Sequence, residues 1–275
     1  MPELPEVETI ARAMREGGRG APPVVGHRIK DVELLWKRTL DTPGPRSFKR
    51  RIIGQRIEDV GRRAKYLQFK LSEDTMLVHL RMTGDLLVGS GRKPLGKHPR
   101  MVFYLDKNKQ LSFNDARKFG RIWLLEDDSM VLGKLGPEPL DSSLTAAKFY
   151  KNLKERKRQL KPLLLDQNFI AGLGNIYIDE ALNLAKIHPT TQANLLNEKQ
   201  AQALLKAIRK VLKEAIRRNG ASIDWAYRGG DFQNDFRVYQ QTGEPCQHCG
   251  TPIDRIVVGQ RGTHLCTHCQ VPLTA

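Results

Sequence analysis

Outside one short C-terminal stretch the chain has no cysteine at all, because its four cysteines fall between positions 246 and 269 of 275 residues. A disulfide framework spanning the molecule is thereby excluded, and a reducing compartment fits the rest. No apolar run approaches the roughly 18 residues that a membrane span requires. Met1 is followed by acidic residues rather than by a basic and apolar leader. No membrane partner is therefore expected, and the cytoplasm, or a nucleoid within it, is the expected compartment. Acidic residues are scarce against basic ones: 30 Asp and Glu face 46 Lys and Arg, for a formal charge of +16 and a pI near 9.9. That deficit favours a polyanionic partner, nucleic acid above all, through phosphate neutralisation and counterion release. A basic surface kept for solubility is the plain alternative. No internal repeat or low-complexity tract is visible. A hydrophobic fraction of 40% and a charged fraction of 28% describe a globular protein with room for two domains and a small third module.

What is present begins at the first residues, Met1-Pro-Glu-Leu-Pro-Glu-Val-Glu8. Removal of Met1 leaves Pro2 as a secondary amine, and an α-amino group titrates near about pH 7.7 to 8.0, so a useful fraction is unprotonated at neutral pH. It is a potential nucleophile, with the Glu3 carboxylate beside it; a retained Met1 blocks it. Pro5, Glu6 and Glu8 suit a helix start, Val7, Ile10, Ala11 and Met14 give it one apolar face, and Gly17-Gly18 ends it. Taken alone, the same residues are also what an acidic, capped helix start requires.

Residues 1–134 read as an N-terminal domain in which strands dominate after the first helix. Tyr66 to Leu71 alternates, with Leu67, Phe69 and Leu71 on one face; Met76 to Leu80 and Leu86 to Val88 continue in that style; Met101 to Leu105 and Gln110 to Phe113 form a hairpin. Two packed sheets are expected. Leu135-Gly-Pro-Glu-Pro-Leu140 interrupts the pattern and is read as a hinge. A helical domain follows over 135–235, with Asn197 and Gln200 as a capping pair, an apolar stripe from Leu204 to Ala215, and Lys206, Arg209, Lys210 and Lys213 on the remaining, solvated face. Residues 221–240 are read as a loop leading to a last module at 236–275.

That module carries Cys246-Gln-His-Cys249 and Cys266-Thr-His-Cys269, two Cys-x-x-Cys knuckles with sixteen residues between them. The spacing matches tetrahedral Zn²⁺ held by four thiolates. Such a site is closed, so the one zinc is structural. His248, His264 and His268 compete as ligands only if a thiolate is displaced. Gln260-Arg261-Gly262-Thr263 falls where the tip between the knuckles should project, a basic reader of phosphate or groove.

Ala171-Gly-Leu-Gly-Asn175 precedes a helix, with Asn175 as its expected N-cap and open amides for an anion; an ordinary helix-turn-helix elbow explains it equally well. Arg156-Lys-Arg158 and Lys161 add cations that are contacts or merely solvated. His79-Leu-Arg-Met-Thr-Gly84 and Asn114-Asp-Ala-Arg-Lys-Phe-Gly120 each set a long apolar side chain, Met82 or Phe119, beside a cation. An apolar wedge with an arginine holds a kinked duplex open once a base has left the stack, although such residues are more often core.

Together these segments resemble the formamidopyrimidine-DNA glycosylase family and its endonuclease VIII relatives. The motifs that carry the resemblance are Pro2 to Thr9, Arg62 to Tyr66, His79 to Gly84, Asp115 to Gly120, Gly136 to Pro139, Gly172 to Tyr177, and Gly243 through the second knuckle. The resemblance implies an α+β fold: an N-terminal β-sandwich behind a catalytic helix, a helix-two-turn-helix domain and a C-terminal four-cysteine zinc finger. It implies removal of oxidised purines from damaged double-stranded DNA by a monomer, with strand cleavage by β,δ-elimination. By resemblance Pro2 attacks C1′ and Glu3 is general acid and base. Lys65, His98, Asn175 and Arg261 grip phosphates, with Lys157 beside them, and Lys65 and Arg261 also act as acids in the eliminations. Met82, Arg117 and Phe119 fill the vacated space, and Glu6 is a second carboxylate in the lesion pocket. Cys246, Cys249, Cys266 and Cys269 hold the zinc. Lys118 stands where some members have a second arginine. Trp225 to Phe232 is shorter than the loop many members fold over 8-oxoguanine, which leaves open a preference for formamidopyrimidines or oxidised pyrimidines. An endonuclease VIII-like enzyme and a non-catalytic zinc-dependent DNA-binding protein are the two alternatives.

Overall fold

The first helix forms where proline and the spacing of apolar residues put it. In the computed structural model, which describes residues 1–222 and 229–273, α1 spans Leu4–Glu16, with Glu3 as its N-cap and Pro5 in its first turn. Leu4, Val7, Ile10 and Met14 are buried, and Gly17 ends the helix at φ +88°, its N–H donating to the Ala13 carbonyl. That left-handed φ is one glycine adopts without strain.

The chain divides into two units, Met1–Lys134 with Asn219–Asp231, and Leu135–Arg218 with Phe232–Ala275. In the first unit α1 is followed by β1 (Ile29–Leu34), β2 (Leu40–Thr42), α2 (Pro45–Ile52), β3 (Ile57–Arg63), β4 (Tyr66–Leu71) and β5 (Thr75–His79). Then come β6 (Gly84–Ser90), β7 (Pro99–Leu105), β8 (Lys109–Asp115), β9 (Arg121–Leu125) and the short α3 (Ser129–Leu132). They build a sheet in the order β1-β7-β8-β6 and a second in the order β2-β9-β5-β4-β3. As the alternation in β4 predicts, Leu67, Phe69 and Leu71 are buried while Lys70 is exposed. Val7, Ile10 and Met14 of α1 join Phe69 of one sheet and Phe103 and Phe113 of the other in one apolar cluster. The expected hairpin is β7 paired antiparallel with β8. Asn219 and Ala221 are tied to α1 in this unit: Arg12 Nη2 donates to Asn219 Oδ1 at 2.5 Å, and the Ala221 N–H donates to Glu6 Oε1 at 2.8 Å.

The second unit holds α4 (Ala146–Lys154), α5 (Leu160–Leu165), α6 (Asn175–Leu184), α7 (Glu198–Arg217), and a hairpin of β10 (Asp254–Val258) and β11 (Arg261–Leu265). α7 starts at the predicted reciprocal cap, the Gln200 N–H donating to Asn197 Oδ1 at 2.9 Å and the Asn197 N–H to Gln200 Oε1 at 3.0 Å. Leu204, Leu205, Ile208, Val211, Leu212 and Ala215 are its buried stripe. The Gly136 to Pro139 segment is strapped down rather than loose: Gly136 N–H donates to Gln167 O, Ala171 N–H donates to Pro137 O, and a Cβ on Gly136 would lie 2.6 Å from the Asn168 carbonyl oxygen. No helix among the described residues is long and apolar enough to cross a membrane.

Candidate active site and zinc centre

Pro2, Glu3 and Glu6 are all buried at the head of α1, the two carboxylates at 2% exposure each. Glu6 Oε2 accepts the Glu3 N–H at 2.8 Å and its Oε1 accepts the Ala221 N–H, so one side chain fixes the start of the helix and the base of the 219–222 segment. Gly220 packs against it: φ is +81°, and a Cβ there would stand 2.5 Å from Glu6 Oε1. Of the Trp225 to Phe232 stretch singled out from the sequence, residues 225–228 lie outside the described residues.

Lys65 is 5% exposed in the tight turn joining β3 to β4, where Ala64 takes φ +53°. Its neighbour Arg62 donates Nε to Glu8 Oε2 at 2.9 Å, tying that turn to α1. His79 ends β5, edge-on to the Tyr66 ring at 4.6 Å. Burial, with the nearby Arg81 and Lys65 charges adding to it, pushes its pKa down to about 3. The imidazole is therefore neutral at physiological pH. Its Nδ1 accepts the Arg81 N–H at 3.0 Å, which places the ring proton on Nε2 and holds Arg81 at φ +54°, one residue before Met82.

Met82 is half-buried and Phe119 is 48% exposed, so neither is a core residue. The Arg117 guanidinium lies over the Phe119 ring at 5.0 Å, and Lys118 Nζ lies over Trp36 at 4.2 Å. Asp115, 1% exposed at the end of β8, joins the two loops. One carboxylate oxygen accepts from the Thr83 hydroxyl and from the Arg117 N–H, and the other accepts the Gly120 N–H at 2.7 Å. The Met82 loop and the Arg117 to Phe119 loop thus share one buried anion. A cleft of about 1120 Å³ in this unit is lined by Thr9, Arg12, Thr83, Asp85, His98 and Asn219, among others. His98 is exposed on its rim.

In the second unit Asn175 is not the N-cap. Gly174 takes that place with extended φ −137°, and Asn175, first residue of α6, sends its Nδ2 across to the Gly262 carbonyl of β11 at 3.0 Å instead of back to its own helix. The same carbonyl accepts Lys161 Nζ at 3.0 Å. Lys161 is not a solvated cation: it is fully buried and paired with the fully buried Asp179 at 2.6 Å, whose other oxygen accepts the His264 N–H at 3.0 Å. This polar cluster fixes the strand that begins with Arg261. Glu180, one residue on, accepts the N–H groups of Arg237, Val238 and Tyr239; burial pushes its pKa up, against the pull of those donors. The hairpin turn is Gly259-Gln260, both at positive φ (+55° and +62°) as a two-residue primed turn requires, with exposed Arg261 immediately after it and Gly262-Thr263 already in the strand. Lys157 stands exposed between α4 and α5.

The ligand atoms of Cys246, Cys249, Cys266 and Cys269 lie within 4.8 Å of one another, and Cys249 Sγ is 3.5 Å from both Cys266 Sγ and Cys269 Sγ. Four sulfurs at about 2.3 Å from one Zn²⁺ are about 3.8 Å apart, so the spacing fits a single tetrahedral ion. The neighbouring histidines are engaged elsewhere or turned outward: His248 Nε2 meets Lys186 Nζ at 2.6 Å, His264 faces Asp179, and His268 is exposed.

Three family models match the chain in order: the formamidopyrimidine-DNA glycosylase N-terminal domain over residues 1–122, the formamidopyrimidine-DNA glycosylase H2TH domain over 135–226, and the zinc finger found in FPG and IleRS over 243–271. The formamidopyrimidine-DNA glycosylase of Herpetosiphon aurantiacus is 44% identical, with 98% of this chain and 100% of the relative covered. The chain belongs to the formamidopyrimidine-DNA glycosylase family. The glycosylase of Ligilactobacillus salivarius is also 44% identical over 98% of this chain and 99% of its own. The Lactococcus lactis Fpg (MutM) in complex with DNA containing N7-benzyl-Fapy-dG superposes with a TM-score of 0.90 at 38% identity, covering 98% of this chain and all of that one. A MutM in complex with DNA containing carbocyclic 8-oxo-G gives 0.89 at 39% identity over 98% and 100%. The family's zinc finger and the four-cysteine cluster agree, and the chain carries one structural zinc. The fold expected of the family, sandwich, H2TH domain and finger, is the one observed.

Sequence reasoning missed Asp115 and Thr83 as a clamp, the Lys161 and Asp179 pair, Glu180, and Gln167, whose side chain bonds Leu165 O, Leu173 O and the Gly172 N–H to hold the loop before α6. A lysine next to a proline, or an aspartate at a strand end, carries no local signal of burial.

Proposed function

We propose that the chain, once Met1 is removed, excises oxidised purines from duplex DNA through attack of the Pro2 amine on C1′ of the damaged nucleotide, and then cleaves the strand. Membership of the family makes it a base-excision-repair DNA glycosylase, and lyase activity belongs to that family. The observation that carries the proposal is the burial of Pro2 and Glu3 side by side at the head of a helix whose next carboxylate, Glu6, is held by two backbone amides. A low-dielectric pocket keeps the amine from being wasted on solvent, and Glu3 is positioned to move protons around the sugar. Attack at C1′ expels the base and leaves an iminium. That electron sink lets the 3′ phosphate leave by β-elimination and the 5′ phosphate by δ-elimination, with Lys65 and Arg261 as acids. Lys65, His98, Asn175 and Arg261 grip phosphates, with Lys157 beside them; Met82, Arg117 and Phe119 occupy the space of the everted nucleotide, Arg117 facing the opposite base. Solved relatives held on Fapy-dG and 8-oxo-G DNA support purine lesions as the substrates. The enzyme acts as a monomer, in the cytoplasm, on the nucleoid.

Borohydride trapping on duplexes carrying 8-oxoguanine, formamidopyrimidine-guanine or 5-hydroxyuracil tests this. A covalent adduct on the purine lesions is expected, abolished by Pro2→Gly, with base release crippled by Glu3→Gln. Adducts on 5-hydroxyuracil alone move the protein to an endonuclease VIII-like specificity. No adduct from protein that starts at Pro2 by mass spectrometry leaves a zinc-dependent DNA-binding protein.

A further inference from the structure

In the second unit, α7 and the start of α4 line an open groove of about 810 Å³, and its walls are cationic. Lys206, Arg209, Lys210, Lys213 and Arg217 line it over a floor that includes Ala146 and Leu205, with Glu214 the one acid among its lining residues. None of Lys157, Asn175 or Arg261 lines it, so it is separate from the phosphate grip proposed above.

The arrangement is more than a solvated helix face. Lys206 and Lys210, Lys210 and Lys213, and Lys213 and Arg217 are neighbours at i,i+3 or i,i+4, where like charges repel and destabilise a helix. Glu214 meets Arg217 at 3.6 Å, which offsets one of them. Arg209 is fixed in place: its Nε donates to Pro139 O at 2.7 Å and its Nη2 to Asp141 O at 3.0 Å and Leu144 O at 2.7 Å. Lys206, Lys210, Lys213 and Arg217 remain exposed along twelve residues, whose eleven steps span roughly 17 Å at about 1.5 Å per residue. A duplex presents about one charge per 1.7 Å of axis, so that length meets ample phosphate.

We propose that this groove is a second duplex-binding surface, taking the phosphate backbone of undamaged DNA while the lesion strand occupies the active site. Its ligand is chosen by charge and concavity: a continuous polyanionic ridge satisfies four cations in line. Binding there is sequence-independent and lets the enzyme bridge two DNA segments.

The test saturates the zinc-loaded protein with a short duplex carrying a tetrahydrofuran abasic site and titrates a fluorescent undamaged duplex at several salt concentrations. Neutralising four phosphates predicts a slope of log affinity against log salt of about −3.6, so second-duplex affinity falls roughly 150-fold between about 50 and 200 mM salt. Replacing Lys206, Lys210, Lys213 and Arg217 by Gln keeps helix propensity and should flatten that slope while excision from a short lesion duplex stays within about twofold; Lys206→Gln with Lys213→Gln should give about half the change in slope. The proposal is overturned if the saturated protein takes up no second duplex at low salt, or if the fourfold variant, with an unchanged melting curve, binds it as the parent does.

Discussion

Lys161→Met removes the positive half of a pair in which both side chains are fully buried. Methionine fills a similar volume, so the change is electrical rather than a cavity. Asp179 keeps the His264 N–H as donor to one oxygen but loses Lys161 Nζ at the other, and the Gly262 carbonyl loses one of its two donors. Breaking one side of a buried ion pair costs about 3 to 5 kcal/mol, because the remaining charge stays desolvated. With a denaturant slope of about 2 kcal/mol/M in urea, the unfolding midpoint of the second unit should fall by roughly 1.5 to 2.5 M. Among the described residues the tryptophans, Trp36 and Trp123, belong to the first unit, so tryptophan fluorescence reads that unit and not this one. Zinc release to a chromogenic chelator does, because all four cysteines belong to the second. Lys161→Met with Asp179→Asn should cost less than the two single changes added together, the asparagine carrying no charge and its Oδ1 still accepting the His264 N–H. A shift in the zinc-release midpoint below about 0.5 M for Lys161→Met, or strict additivity in the double variant, would refute the view that this pair holds the zinc hairpin in place.

Gly220→Ala should force the Glu6 carboxylate away from the Ala221 and Glu3 amides and place a side chain at φ +81°, which costs about 1 to 2 kcal/mol in conformation alone. Base release should slow at least tenfold while zinc release in urea is unmoved; parental activity would show that Glu6 needs no such anchoring. Asp115→Ala orphans the buried Gly120 N–H and uncouples the loops of Met82 and Phe119, at about 1 to 3 kcal/mol. Lesion-duplex binding should weaken about tenfold or more in a titration, with single-strand binding unchanged. The pKa of His79 lies near 3 in the folded chain against 6.5 when unfolded, so the unfolded state binds the extra proton: stability is fully present above about pH 6.5 and is lost as pH falls toward 3. Between pH 7.5 and 5 the first unit should lose about 2 kcal/mol more than a His79→Asn variant, read by tryptophan fluorescence in urea.

The parts of this protein that were legible in the sequence are those whose physics is local. The helix behind Pro2 follows from a proline, an apolar period and a glycine stop; β4 follows from alternation; the zinc site follows from two knuckles whose ligands each sit three residues apart; the cap of α7 follows from Asn197 and Gln200. Each of these is decided by backbone sterics or by coordination geometry over a few residues. The tertiary structure alone decided which charges are buried and whom they serve. Lys161 and Lys206 are the same residue type in similarly basic surroundings, yet one is sealed against Asp179 and the other stands in an open groove. Asp115 became a clamp only because β5, β6, β8 and β9 bring Thr83, Arg117 and Gly120 around it, and Asn175 turned from a helix cap into a strut because β11 offers it a carbonyl. A charge's meaning depends on the dielectric and the partners around it, and those are set by chain segments far apart in sequence.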